Sequence, residues 1–231
     1  MSEEADKKSP HYHGHRERLR KRFLESQGEG MPDYEILELL LMTALPQRDV
    51  KPLAKDLITR FESLAGVLTA SPEALMAEPG IKETACTALK VVQAASVRLA
   101  KAAIMDKPII ASWDRLIDYC RTSMGHDKVE SFRILFLDRK NRLIADEAQQ
   151  KGTVDHTPVY PREIVKRALD LGASALILVH NHPSGDVTPS KDDIAMTRKI
   201  KEGAEKLGIS LFDHVIVSRS GETSFKSQGL L

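Results

Sequence analysis

The stretch Val179-His-Asn-His-Pro-Ser-Gly-Asp-Val-Thr-Pro-Ser-Lys-Asp-Asp193 decides the fold of the second half of this 231-residue chain. It follows the apolar run Ser174-Ala-Leu-Ile-Leu-Val179, whose length and unbroken hydrophobicity predict a central strand buried on both faces. A helix is expected to begin near Ser190. The quoted stretch therefore joins the carboxyl end of a buried strand to a helix, where mainly parallel sheets hold their functional sites.

Three residues of this stretch have the side chains and the spacing of a zinc site. His180 and His182 are two residues apart, so both imidazoles leave the same face if the extended geometry persists. Asp193 lies in the first turn of the expected helix, from which its carboxylate can point back at the strand end. Two imidazoles and one carboxylate leave a fourth position for water, as in a catalytic rather than a structural zinc site. We therefore predict one Zn2+ per chain, held by His180, His182 and Asp193.

A structural interpretation competes with this metal site. An isolated His-x-His is more often structural or incidental, and Ser190 with Asp193 also fits a helix-capping pair. Thr188 followed by Pro189 is an equally good helix start, which would release Ser190 and Asp193 for other work. Packing explains poorly why two histidines and an aspartate should follow an apolar strand, so the spacing favours the metal.

Two other classes of metal enzyme share letters with this stretch. In HNH nucleases the three named residues are spread over a ββα unit, so the adjacent letters His-Asn-His do not indicate one. A zinc nucleobase deaminase needs His-x-Glu and a later Pro-Cys-x-x-Cys. Position 182 is His, and neither Cys86 nor Cys120 is placed for that motif, so the deaminase assignment fails.

Strands and helices alternate around the quoted stretch, which indicates a sheet covered by helices. A hairpin is predicted from a strand over residues 131–138 and a returning strand that starts over 143–145. The other predicted elements are a helix over 113–122, an extended segment over 154–160, helices over 161–171 and 192–207, and a strand over 211–218. Strand patterns appear only after the stretch Asp106-Lys107-Pro108, so the sheet belongs to the second half.

The first half of the chain predicts helices only. Residues 1–14 are polar and without periodicity, and we expect them to form a flexible tail. Helices are predicted over 15–24, from 33 to the proline at 46, over 51–61, after the cap Ser71-Pro72-Glu73, and over 84–103. We therefore expect an all-helical domain over residues 15–105 and a second domain over residues 109–231.

The complete motif resembles a known signature. His180-x-His182, seven residues, Ser190, two residues and Asp193 match the JAMM signature of the JAB/MPN metallopeptidases. The flanking stretches Arg162-Glu163 through Ala168-Leu169, Asp213-His214 and Ser224-Phe225 look like the RadC branch of that superfamily, and the helical first half resembles the RadC N-terminal domain. The resemblance implies an α/β fold class: an all-helical domain, then a JAB/MPN (cytidine-deaminase-like) α-β-α sandwich with a mixed sheet.

The same resemblance implies an activity and two further site residues. The family uses zinc to hydrolyse amide bonds of peptides or proteins, with an upstream glutamate as general base. Glu130, just before the strand at 131–138, is the best match for that base; Glu163 and Glu147 are weaker candidates. Ser190 would then hydrogen-bond the oxyanion of the tetrahedral intermediate. Structural roles are the safer expectation for Asp186 and His214.

An alternative function is DNA association in repair or recombination, with a non-catalytic or vestigial metal site. Residues 75–90 have the outline of a helix-hairpin-helix, whose turn presents backbone N–H groups to a phosphate. The usual second glycine of that turn is Lys82 here, so a helical packing module is slightly favoured. Residues 16–22 hold five basic side chains and one acid, which suits a nucleic-acid backbone but is more often a solvated face. The net charge of +1 gives no global argument for DNA.

Composition places the protein in the cytoplasm. No apolar run approaches the roughly 20 residues of a membrane helix, so no membrane partner is expected. The polar start has no secretory signal, and Cys86 and Cys120 are far apart, as expected of reduced structural thiols. The sequence leaves the oligomeric state and the substrate open.

Overall fold

A computed structural model of the chain describes residues 11–105, 107–149 and 160–231. Residues 1–10 of the predicted tail, and all of the predicted extended segment 154–160 except Tyr160, lie outside the described residues. The chain divides into two compact units, residues 1–94 and 95–231. No helix among the described residues is long and apolar enough to cross a membrane.

The first unit is helical, as predicted. Its elements are α1 (His11–Ser26), α2 (Asp33–Ala44), α3 (Lys51–Phe61), α4 (Leu64–Thr69), α5 (Pro72–Met76) and the first part of α6 (Glu83–Ile104). Helix α1 begins at His11, so the last four positions of the predicted tail are helical. Helix α4 was not predicted, because six residues are too few to show a hydrophobic period. The core of this unit is formed by buried side chains such as Leu37, Leu41, Leu57 and Leu89.

The turn between α5 and α6 has the shape of the predicted hairpin. Gly80 has φ +96°, a conformation that favours glycine, and a Cβ here would lie 2.4 Å from Arg48 Nη1. The Arg48 side chain packs over the turn and donates to the Gly80 carbonyl oxygen at 3.3 Å. Lys82 is exposed beside the turn. The positive φ therefore favours glycine at this position, whereas the end of the flexible Arg48 side chain can shift to admit a Cβ.

The boundary between the two units falls inside α6. The predicted boundary lay between residues 105 and 109, but Val97, Ala100 and Ile104 already pack in a core of the second unit. A long helix shows one continuous pattern in sequence, and that pattern does not reveal which neighbours each part of the helix meets. The last turns of α6 belong with the sheet that follows.

The second unit contains a mixed five-stranded sheet. A short 3-10 helix (Ile109–Ser112) precedes α7 (Trp113–Met124); the strands are β1 (Phe132–Leu137), β2 (Leu143–Ala148), β3 (Ala175–Asn181), β4 (Ser210–Val217) and β5 (Glu222–Ser224), and the remaining helices are α8 (Pro161–Asp170) and α9 (Lys191–Glu205). The strand order is β2-β1-β3-β4-β5. Strand β3 pairs antiparallel with β1 and parallel with β4, and β5 pairs antiparallel with β4. The 3-10 helix and the short β5 were not predicted.

Helices cover both faces of this sheet, which confirms the α-β-α sandwich. On one face, α7 packs on a core that includes Ile177 and Val179 of the central strand. On the other face, α8 and α9 pack on Leu176 and Leu178. Every residue of β3 is buried, as predicted from its unbroken apolar run. The carboxyl ends of β3 and β4 lie at the same edge of the sheet. The stretch 179–193 leads from this edge to α9.

Candidate metal centre

The two histidines lie at the carboxyl end of the central strand. His180 is the sixth residue of β3 and pairs with Phe132 of β1 and Ile216 of β4. His182 follows the strand, and its backbone N–H donates to the Val217 carbonyl at 3.0 Å, so the extended path continues past the last strand residue. The two Nε2 atoms are therefore 3.0 Å apart on the face covered by α9.

Asp193 reaches the histidines from the first turn of α9. Its Oδ1 lies 3.3 Å from His180 Nε2, and its Oδ2 lies 3.7 Å from His182 Nε2. One ligand atom from each of the three residues fits within 4.8 Å of the other two. The structure thus brings together the three residues that the sequence spacing selected.

Ser190 is the N-cap of α9 and forms a capping box with Asp193. Asp193 N–H donates to Ser190 Oγ at 3.1 Å, while Ser190 N–H and Oγ–H donate to Asp193 Oδ2 at 2.8 and 2.6 Å. The alternative helix start at Thr188 is therefore wrong, because the cap geometry belongs to Ser190. The capping interpretation and the metal interpretation turn out to be compatible, since the cap fixes the carboxylate that faces the histidines.

The ring nitrogens of His182 have distinct partners. Its Nδ1 lies 2.6 Å from the carbonyl oxygen of Asp186. A carbonyl oxygen only accepts, so Nδ1 carries the hydrogen and Nε2 presents a lone pair to the site. The carboxylate of Asp186 is used elsewhere, accepting from Thr188 N–H at 2.9 Å. The predicted structural role of Asp186 is thus performed by its backbone, which orients His182.

The Nδ1 edge of the His180 ring points at His214, which is fully buried. His180 Nδ1 lies 2.7 Å from His214 Nε2, and His214 Nδ1 lies 2.6 Å from Thr197 Oγ1. Phe225 stacks on the His214 ring with centroids 4.4 Å apart. Burial holds the pKa of His214 well below the usual histidine value, and the neighbouring His180 acts in the same direction. Burial of the His214 ring thus favours its neutral form.

The surroundings of Asp193 favour its ionised form. Burial acts to raise the pKa of Asp193, but hydrogen bonds with His180, His182 and Ser190 outweigh it and hold that pKa well below the usual range. The pKa of His182 is raised, first by its contact with Asp193 and also by the Asp186 carbonyl and the charge of Glu130. Glu130 is thus one of the charges that act on His182.

Asn181 fixes the segment that carries Glu130. Its fully buried side chain accepts from Ser131 N–H at 2.7 Å and from Ser131 Oγ–H at 2.8 Å. Its amide donates to the carbonyl oxygens of Asp127 and Val129, both at 3.2 Å. All hydrogen-bonding atoms of this amide thus bind residues 127–131. The middle letter of His-Asn-His ties the chain around Glu130 to the strand that carries both histidines.

The two weaker candidates for the general base are bound in surface ion pairs. Glu147 accepts from Arg167 Nε at 3.0 Å, and this arginine lowers the pKa of Glu147. Glu163 pairs with its neighbour Arg162 at 3.1 Å and is 55% exposed. Neither contact involves a residue of the metal centre, so the structure adds no support for either glutamate.

Sequence reasoning did not find three polar residues of the site. Asn181 and Ser131 are 50 positions apart, and Thr197 and His214 are 17 positions apart, so no local spacing links them. Asn181 and Thr197 are nevertheless fully buried. A polar residue inside an otherwise apolar strand was the one available signal, and it applies to Asn181 alone.

The two imidazoles and the carboxylate fit a divalent cation as ligands. Zinc bonds of 2.0–2.1 Å to imidazole nitrogen and carboxylate oxygen place neighbouring ligands of a tetrahedron about 3.3 Å apart. The separations among His180 Nε2, His182 Nε2 and the Asp193 oxygens are 3.0, 3.3 and 3.7 Å. Two imidazoles and one carboxylate also form a borderline donor set, which suits zinc among the common divalent ions.

Comparisons with known proteins agree with this geometry. The family described as "RadC-like JAB domain" matches residues 110–230. A UPF0758 protein of Rhodobacter capsulatus is 57% identical over 213 residues, which cover 92% of this chain and 100% of the relative. A UPF0758 protein of Ruegeria pomeroyi is 54% identical over 217 residues, covering 94% of this chain and 97% of the relative.

Proposed function

This chain belongs to the RadC-like JAB domain family, and on that premise we propose that it is a zinc-dependent hydrolase of amide bonds in peptides or proteins. His180, His182 and Asp193 would hold one Zn2+ ion, Glu130 would act as general base, and Ser190 would stabilise the oxyanion. JAB domains are generally metallohydrolase-like, so the proposal goes beyond the family in naming zinc, the amide bond and the role of each residue.

One observation carries this proposal: two imidazole nitrogens point at each other 3.0 Å apart beside a carboxylate. His182 Nδ1 is occupied by the Asp186 carbonyl, so the lone pair on His182 Nε2 faces the ring nitrogen of His180. Two lone pairs at this distance repel unless a proton or a metal cation lies between them. A divalent ion supplies that charge and satisfies all three donors.

The residues of the site divide the work of hydrolysis. A zinc ion held by these residues would supply Lewis acidity, which lowers the pKa of bound water from about 16 towards about 7. Glu130 would take the proton from the attacking water and return it to the leaving amine. The Asn181 bonds to Asp127, Val129 and Ser131 tie the segment that carries Glu130 to the strand that carries the histidines, which supports this role.

Ser190 would have two roles that share one hydroxyl. In the structure its Oγ–H donates to Asp193 Oδ2 at 2.6 Å. To donate to an oxyanion, the Ser190 hydroxyl must first break its hydrogen bond with Asp193 Oδ2. The Ser190 backbone N–H, 2.8 Å from the same oxygen, would keep the carboxylate in place while the hydroxyl turns.

Peptide cleavage tests the proposal directly. The full-length protein, loaded with zinc, is incubated with a mixed peptide library and the products are identified by mass spectrometry. We expect new peptide ends with the wild type and none with His182→Ala, while circular dichroism shows both proteins folded. A wild type that holds zinc and leaves every peptide intact would reject the amide-bond assignment.

DNA association is the second candidate function, and exposed basic residues of the first unit favour it. Arg18 and Arg20 are exposed on α1, and Lys82 is exposed beside the hairpin turn. Arg16, by contrast, donates to the carbonyl oxygens of Leu45, Pro46 and Arg48, so it is used inside the unit. If the protein binds DNA, these exposed side chains would contact the phosphates, and Arg16 would not.

Salt dependence separates this candidate from the hydrolase. If the protein binds DNA, binding of a labelled duplex should weaken steeply as salt rises, and Arg18→Gln with Arg20→Gln should reduce both the affinity and the slope. His182→Ala should leave that binding unchanged. Binding that responds to His182→Ala but not to the arginine variants would remove α1 as a DNA contact.

A further inference from the structure

We propose that Thr197 and His214 hold His180 in the tautomer that carries its hydrogen on Nδ1, so that Nε2 presents a lone pair to the metal centre. This inference rests on the proposed function for its purpose, but the tautomer itself follows from a chain of hydrogen bonds on the sheet and on α9. Thr197 and His214 are positioning residues, since both act through His180.

The chain of bonds begins at a carbonyl oxygen. Thr197 Oγ1 lies 2.6 Å from the backbone oxygen of Asp193, four residues earlier on α9. That oxygen only accepts, so the single hydrogen of the Thr197 hydroxyl is committed to it. The hydroxyl oxygen can then only accept from its other neighbour, His214 Nδ1, at 2.6 Å.

His214 passes the same constraint across the sheet. The fully buried ring has an imidazole and a hydroxyl as its partners rather than an anion, so it is neutral, and with Nδ1 donating to Thr197 it has no hydrogen on Nε2. His214 Nε2 must therefore accept, and its partner at 2.7 Å is His180 Nδ1. His180 donates from Nδ1, which leaves the lone pair of Nε2 directed at His182 and Asp193.

If these hydrogen bonds ran in the opposite direction, His180 could not bind a metal ion. If the Thr197 hydroxyl donated to His214 Nδ1, its oxygen would face the Asp193 carbonyl at 2.6 Å with no hydrogen between them. His214 would then donate from Nε2, and His180 would carry its hydrogen on Nε2, inside the site. The direction of one hydroxyl thus decides whether His180 can be a ligand.

Among the described residues, apolar rings enclose His214. His214 and Thr197 are both fully buried. Phe225 stacks on one side of the His214 ring, and the edge contact with Phe132 has centroids 5.8 Å apart. Apolar rings offer no hydrogen bond to either ring nitrogen, so each nitrogen depends on the partner that the chain supplies. The Asp193 backbone that starts the chain belongs to the same residue that supplies the carboxylate.

Nitrogen NMR on the full-length protein tests the tautomer without metal. Long-range 1H–15N spectra of 15N-labelled, chelator-treated wild type distinguish a protonated Nδ1 from a protonated Nε2 in neutral histidine. We expect protonated Nδ1 for both His180 and His214. A protonated Nε2 on His180 would overturn the proposal, and this measurement needs no variant.

Zinc affinity tests the consequence of the tautomer. Thr197→Val keeps the shape of the side chain but removes the hydroxyl, and we expect it to weaken zinc binding about 10- to 100-fold in competition with a chromophoric chelator. Thr197→Ser keeps the hydroxyl and should stay close to wild type. Thr69→Val is the matched control, because Thr69 Oγ1 donates to Ala65 O at 2.7 Å in the same way but in the first unit.

The outcomes distinguish this inference from the proposed function. Thr197→Val that folds and binds zinc as tightly as wild type overturns the role of Thr197 and His214 while leaving the zinc site intact. A wild type that binds no zinc removes the proposed function instead, and the nitrogen spectra still decide the tautomer.

Discussion

Two carboxylates on opposite faces of one sheet show how differently this protein treats a buried charge. Asp146 on β2 faces α7, and its fully buried carboxylate contacts Arg133 Nη1 at 2.8 Å, Lys101 Nζ at 3.1 Å and the hydroxyl of Tyr119. Asp193 on α9 faces two histidines and a serine. The first carboxylate is surrounded by permanent cations, and the second is surrounded by groups that are neutral unless protonated.

The difference indicates which cluster is structural and which is functional. Burying a carboxylate is costly unless cations and hydrogen bonds compensate it, and Arg133 with Lys101 compensates Asp146 within the chain. Within the described part of the chain, no lysine or arginine pairs with Asp193, and the side chain of Asp193 stays 17% exposed. A protein that leaves a polar cluster uncompensated and open to solvent has room for an ion from outside.

The largest effect is expected from the carboxylate beside the open cluster. Glu130→Gln should lower the rate of peptide hydrolysis about 10²- to 10⁴-fold, because the amide cannot accept a proton, and should retain zinc. Glu147→Gln is the control, since Glu147 binds Arg167 and should leave the rate unchanged. Loss of zinc in Glu130→Gln would make Glu130 a ligand rather than the base.

A smaller loss is expected when Glu130 is displaced but kept. Asn181→Ala removes every bond of the amide to residues 127–131, and misplacement of a catalytic group by about 1 Å costs about 100-fold in rate. Zinc content should remain at the wild-type level. Ser131→Ala removes one of these bonds and should cost less; equal losses in both variants would contradict the positioning role.

At the Asp146 cluster, a substitution should lower stability and leave zinc binding unchanged. Asp146→Asn leaves Arg133 and Lys101 without an anion and should lower the free energy of unfolding by about 2–3 kcal/mol, below the 3–5 kcal/mol of fully buried pairs because Lys101 is 39% exposed. Zinc binding should be retained. Asp193→Asn should do the reverse, losing zinc at a cost of about 1 kcal/mol or less from the cap. Chemical denaturation and zinc analysis of both variants check this. Loss of zinc in Asp146→Asn, or retention of zinc in Asp193→Asn, would contradict the assignment.

The smallest effect concerns a thiol near Asp146. Burial, reinforced by the Asp146 charge, raises the pKa of Cys120 to about 12, so the native thiol should react with a disulfide reagent at pH 8 far more slowly than in denaturant. Asp146→Asn should speed this reaction a few-fold by loosening the cluster. Cys86, buried in the other unit, is the internal control. A variant that accelerates both thiols equally would indicate global unfolding.

The same comparison shows what could be predicted from sequence. His180, His182 and Asp193 lie within fourteen residues, and the strand–helix junction brings them together, so local spacing was sufficient. The unbroken apolar run predicted β3 at nearly its full length for the same reason. The Asp146 cluster joins α6, α7, β1 and β2, and no short-range pattern relates Lys101 to Asp146 or Tyr119 to Asp146.

Residues that act through others were the least predictable. His214 was noticed only within the Asp213-His214 pair and given a structural role, and Thr197 was not singled out, because their contact depends on how α9 packs on β4. Ser190 shows the opposite case, in which a local capping pattern and a catalytic pattern coincide on one residue. Sequence spacing selected the atoms that would face a metal ion, whereas tertiary packing determined the groups that orient them.

Zinc stoichiometry of the full-length protein tests the central claim most directly. The protein is saturated with Zn2+, freed of excess metal by gel filtration and analysed by mass spectrometry of the elements, alongside His180→Ala and Asp146→Asn. We predict one zinc per chain in wild type and Asp146→Asn and none in His180→Ala, with circular dichroism showing all three folded. A wild type without zinc, or a folded His180→Ala that keeps its full zinc content, would contradict the claim that the open cluster is a metal centre.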